Sequence, residues 1–117
     1  MLFRESFYKA CKRCLTDGGI LVTQNGVPFM QPDELRNTVT HLRHLFADAS
    51  CYLASIPTYV GGPMALGWAS DDAALRDVDV EVLQTRFDAA GFRTRYYTPA
   101  VHKAAFALPV YVSDIIG

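Results

Sequence analysis

The stretch GGILVTQNG, Gly18 to Gly26, decides the fold. Two glycines open it, three aliphatic residues follow without a break, and Thr23-Gln24-Asn25-Gly26 ends the run. A short, continuously apolar segment such as Ile20-Leu21-Val22 suits a strand buried on both faces, as in a parallel sheet covered by helices. Upstream, Leu2 to Leu15 reads as an amphipathic helix, with Phe3, Phe7, Cys11, Cys14 and Leu15 on one stripe. Asp17-Gly18-Gly19 stops it, because glycine accepts the left-handed turn after a helix. Downstream, a second helix starts near Gln31 or Pro32, and Leu35, Val39, Leu42 and Phe46 form its buried face.

Cys51 to Ile56 then reads as a strand, and Met64 to Ser70 as another, joined by the turn-rich IPTYVGGP. A third helix carries Val80, Leu83, Phe87 and Ala90 on one stripe and ends at Gly91. Thr98-Pro99 starts a short fourth helix, and Pro109 separates it from a last one. The helix–strand–helix alternation implies parallel pairing through helical crossovers, and the last two strands are close enough to pair antiparallel. The expected architecture is therefore the tail of an open, mixed parallel/antiparallel α/β sheet. It reads as incomplete, since it starts on a crossover helix. The 117 residues form one domain, without repeats or linkers.

Composition narrows the partners. Eleven basic residues face twelve acidic ones, and the basic residues are dispersed, which speaks against nucleic acid. No run reaches the roughly 18 apolar residues of a membrane span. The charged N-terminal segment lacks the apolar stretch of a secretory signal. Three cysteines suit reduced thiols in the cytoplasm. Cys11 and Cys14 with His41 and His44 miss zinc-finger spacing, because 26 residues separate the pairs and only Leu42-Arg43 lies between the histidines. No metal site is expected, and the cysteine pair reads as two small buried thiols.

Open α/β sheets bind ligands beyond the carboxyl ends of their parallel strands. That rule selects Gln24-Asn25-Gly26 and the loop Pro57 to Gly62. If the two preceding strands run parallel, both places share one sheet edge. Gln24 offers an amide and Tyr59 a phenol, groups that orient a polar ligand but are poor bases at neutral pH. His102 reads as a structural hydrogen-bonding histidine, Trp68 as core, and Tyr96-Tyr97 as packing at the sheet edge.

The segments FYKACKRCL–GGILVTQNG, IPTYVGG and RFDAAGFRTRYYTPAVHKAAFALPVY resemble bacterial spermidine synthases in order and spacing. The resemblance covers nearly the whole chain. It implies the C-terminal part of a Rossmann-like methyltransferase-type catalytic domain. The family transfers an aminopropyl group from decarboxylated S-adenosylmethionine to putrescine. By the same resemblance, Tyr59 matches the tyrosine lining the diamine pocket, and Gln24 the glutamine near the same amine. Leu2-Phe3 matches the pair that follows the family's catalytic segment. The nucleotide turn, the ribose-holding acid and the aspartate base lie before that point, so no catalytic residue carries over.

The expectation is thus spermidine synthase activity in the intact family enzyme, with this chain inactive alone and binding no decarboxylated S-adenosylmethionine by itself. The alternative is a non-catalytic truncated remnant, an interaction module or half of a split enzyme. Ile20 to Val22 would form a bare sheet edge without an upstream strand, which points to a homo-oligomer.

Overall fold

The structure, a computed structural model, describes residues 4–117. Leu2 and Phe3, placed above in the first helix, lie outside the described residues. Helix α1 spans Glu5–Cys14, with Glu5 in its first turn and Lys12 and Arg13 in its last, matching the helix dipole at both ends. Strand β1 (Ile20–Gln24) follows, then α2 (Pro32–Leu45), β2 (Asp48–Ala54) and β3 (Met64–Ser70). A 3-10 turn at Ala73–Arg76 leads to α3 (Val80–Ala90), α4 (Pro99–Ala105) and α5 (Val110–Ile116).

The three strands lie in the order β1-β3-β2, and β3 pairs antiparallel with both neighbours. Strands β1 and β2 therefore point the same way, as the α2 crossover requires, but they do not pair with each other. β3 folds back through the loop 55–63 into the gap between them. The direct parallel pairing expected from the alternation is replaced by this insertion. The α/β class stands.

One sheet face carries the core. Helix α2 lies across it, and Leu35, Val39 and Leu42 are fully buried. Burial of such side chains contributes about 1.5–3 kcal/mol each. Leu42 and Phe46 join Tyr8, Ala49 and Ala69 in one cluster; Leu35 and Val39 join Cys51, Ala65 and Val112 in another. The buried residue of α1 is Tyr8, not the expected cysteine stripe: Cys11 is half-buried and Cys14 exposed. Phe7 and Leu15 do pack against the core. The tyrosine is drawn in because its hydroxyl finds Thr38 of α2 at 2.9 Å.

The opposite sheet face is covered differently. Tyr52 and Trp68 meet Phe106 there, the residue capping the end of α4. Ile20 and Val22 of β1 remain 39% and 43% exposed. β1 is thus covered on one face among the described residues, where burial on both was expected. β2 begins at Asp48, three residues before the expected Cys51. Asp48 takes a two-pronged ion pair from Arg76, at 2.8 and 2.9 Å, and that pair holds the start of the strand.

Candidate functional site

The carboxyl ends of β1 and β2 share one edge of the sheet, because both strands run against β3. Gln24 is the last residue of β1. Tyr59 sits in the loop after β2, on a tight turn closed by its own N–H to the Ile56 carbonyl at 3.0 Å. The structure brings the two expected site residues together: the Gln24 Nε2 donates to the Tyr59 hydroxyl at 3.0 Å. This bond occupies one amide proton and one phenol lone pair. The Gln24 Oε1 and the phenol proton stay available to a ligand. Tyr59 is 43% exposed, so the corner opens to solvent.

Gln24 is held from behind by a buried polar network. Side chains alternate along a strand, so Thr23 and Asn25 point away from Gln24 toward the helices. The Thr23 hydroxyl donates to Asn25 Oδ1 at 2.7 Å, and the Gly67 N–H donates to the same oxygen at 3.1 Å. Asn25 Nδ2 donates to Thr38 Oγ1 at 2.8 Å, and Thr38 pairs with Tyr8. Asn25 and Thr38 are fully buried, and burial pushes the Tyr8 phenol up from its ordinary pKa. Each named side-chain donor and acceptor has a partner, as a buried polar network requires. Backbone bonds between Asn25 and Ala65, and between Ala65 and Gly26, extend the ladder one step past the strand. Thr23 and Asn25 at the inward positions of an otherwise apolar strand, facing a glycine on β3, were the available signal.

The space beside Gly26 is filled by the chain's own Gln31 side chain, with the Glu34 carboxylate next to it. Among the described residues, no three His, Cys, Asp or Glu side chains gather as a metal site.

A second concavity lies on the sheet face under α4. It encloses about 240 Å³ and is lined mainly by Tyr52, Trp68, Tyr96, Tyr97, His102 and Phe106. His102 Nδ1 meets the Tyr97 hydroxyl at 2.8 Å, the hydrogen-bonding role expected of it. Burial, with Lys103 beside it, lowers the His102 pKa from its ordinary imidazole value. Trp68 lies on this face with its indole nitrogen buried and without a hydrogen-bond partner among the described residues. The Tyr96 hydroxyl accepts the Ser55 N–H at 3.0 Å.

The chain has counterparts among known proteins. The spermine/spermidine synthase domain model matches residues 1–80. The polyamine aminopropyltransferase of Ruegeria sp. (strain TM1040) is 61% identical over 115 residues, covering 98% of this chain and 40% of the relative. That of Salmonella typhimurium (strain LT2) is 53% identical over 116 residues, covering 99% and 41%. The crystal structure of spermidine synthase from Thermotoga maritima superposes with a TM-score of 0.84 at 28% identity, covering 98% of this chain and 39% of that one. A spermidine synthase bound to the transition-state analogue AdoDATO gives the same TM-score over 38% of its length. The chain thus spans about two fifths of the relatives it matches and reproduces one portion of their methyltransferase-like fold. It belongs to the spermine/spermidine synthase family.

Proposed function

We propose that this chain supplies one wall of the amine site of a polyamine aminopropyltransferase, with putrescine as the acceptor and decarboxylated S-adenosylmethionine as the donor. The observation that carries the reading is the Gln24–Tyr59 hydrogen bond at the carboxyl edge of the sheet. In aminopropyl transfer, the amine nitrogen forms a bond to the carbon next to the sulfonium while the carbon–sulfur bond breaks. The leaving sulfur takes the electron pair and departs as neutral methylthioadenosine. The amine must first lose a proton and then lie in line with that carbon. Gln24 Oε1 can accept an amine N–H, and the Tyr59 phenol adds a second polar contact. Both orient the amine, and neither is a base at neutral pH.

The recognised base and the nucleoside site belong to the part of the family fold outside these 117 residues. The chain alone is therefore inactive and holds no donor nucleoside. Purified chain mixed with putrescine and decarboxylated S-adenosylmethionine should yield no methylthioadenosine. Turnover lost on Tyr59→Phe would overturn this. Joined to the rest of a family catalytic domain, the same chain should support transfer. If every such assembly is folded but inactive, the alternative reading of a non-catalytic remnant or interaction module takes over. On this proposal the protein works in the cytoplasm, and the β1 edge, paired only with β3 among the described residues, is offered to a second copy of the chain. No described helix is long and apolar enough to cross a membrane.

A further inference from the structure

We infer that Tyr96 is a positioning residue for the amine site, acting as a strut that fixes the loop carrying Tyr59. The inference rests on the amine-site reading for its functional consequence only. The ladder between β2 and β3 ends at Ala54 and Met64. Ser55 is the first residue beyond it, and its N–H is taken by the Tyr96 phenol at 3.0 Å. Four residues later the same loop presents Tyr59 to Gln24.

The far side of this loop runs close to the segment between β1 and α2. Gly61, at φ +98°, lies against Met30 so closely that an added Cβ would come within 2.6 Å of its Cγ. The near side depends on Tyr96, because Ser55 leaves the ladder just where the chain turns.

A strut must be held at its other end. The Thr94 hydroxyl donates to the Tyr97 carbonyl at 2.6 Å, which closes a turn around Tyr96. Tyr97 is locked to His102, and its ring packs on Phe87 of α3. The Thr98 hydroxyl caps α4 by accepting the Val101 N–H at 3.0 Å. The residue itself is 55% exposed, so its phenol serves no core. Tyr96 thereby ties the placement of α3 and α4 to the position of Tyr59.

Tyr96→Phe keeps the ring and removes only the acceptor oxygen. Amide hydrogen exchange in the 117-residue chain, resolved by NMR, reads the first consequence. Ser55 should exchange about two- to tenfold faster, the range for one lost hydrogen bond. The Gly67 amide, held by Asn25, should stay unchanged. The Gln24 side-chain amide resonances should move toward those of a Tyr59→Phe reference. Unchanged Ser55 exchange together with unmoved Gln24 resonances would overturn the inference.

The second consequence is read in a chimera, with this sequence replacing the matching segment of the Ruegeria relative. Tyr96→Phe should raise KM for putrescine by about two- to tenfold and leave kcat within about twofold. An active chimera whose KM ignores the change would also overturn the positioning role. If Ser55 and Gln24 respond but the folded, unsubstituted chimera transfers no aminopropyl group, the amine-site reading falls and the strut stands.

Discussion

Gln24 and Tyr59 stand 35 residues apart in the chain and 3.0 Å apart in space. β3 brings them together by pairing with β1 on one side and β2 on the other, so that two non-adjacent parallel strands end at one edge. The pair is polar and uncharged. That suits the amine-orienting role proposed for it.

Removing one member of the pair should cost function more than stability. Tyr59→Phe in the chimera described above should weaken putrescine use by about two- to tenfold, the worth of one hydrogen bond. Because both side chains reach solvent, the melting temperature should hold nearly constant. Steady-state kinetics beside a thermal melt makes the check. Unchanged kinetics would assign Tyr59 to loop packing alone.

Gly67 should be the least replaceable residue of β3. A Cβ there would land on the Thr23 hydroxyl and come within 2.8 Å of Asn25 Oδ1. Both atoms belong to the buried network, so neither can move without losing a bond. Overpacking of this kind typically costs about 1–3 kcal/mol. Urea unfolding of Gly67→Ala should show that loss, with Thr23→Ala in the same chain relieving part of the clash. A Gly67→Ala midpoint equal to wild type would show that the network has slack.

Much of this was legible from residue pattern. The α2 stripe Leu35, Val39, Leu42 and Phe46 is buried as its spacing implied, because helical periodicity reports a single packed face directly. Two strand ends sharing an edge also followed, from chain direction alone. The order of the strands did not, since periodicity says which face is apolar but not which neighbour fills the gap. Tyr8 escaped for a related reason. A tyrosine counts as polar in an amphipathic pattern unless its hydroxyl has a buried partner, and Thr38 lies 30 residues away. Tyr96 escaped because its contact is to a backbone N–H, which carries no side-chain signature.

The three thiols should separate by reactivity. Cys14 is exposed, Cys11 half-buried and Cys51 fully buried. Burial pushes the Cys51 thiol up to about 11, despite the opposing pull of Arg43 and Arg76. At pH 8 only about one Cys51 in a thousand is then a thiolate, the reactive form. Labelling with a disulfide reagent followed by peptide mass mapping should show Cys14 modified first and Cys51 only after unfolding. Fast native labelling of Cys51 would mean that the core under α2 opens readily.

The edge of β1 sets the expected assembly. Among the described residues, β1 pairs on one side only, with β3. Its outer side offers backbone N–H and C=O groups to any strand that approaches, and Ile20 and Val22 add apolar surface beside them. An edge that is both unpaired and apolar recruits another strand unless a charge or proline blocks it. None of the five residues Ile20–Gln24 is charged or a proline. A two-fold pairing of identical edges is the simplest closed arrangement. The chain should therefore run in solution at twice its 13.0 kDa mass or above, as read by light scattering over a concentration series. Val22→Lys, which sets a charge on the open face, should shift the population toward monomer without lowering helix content. A wild-type monomer at high concentration, with slow amide exchange along Ile20 to Val22, would show the edge to be protected within one chain and would remove the case for an oligomer.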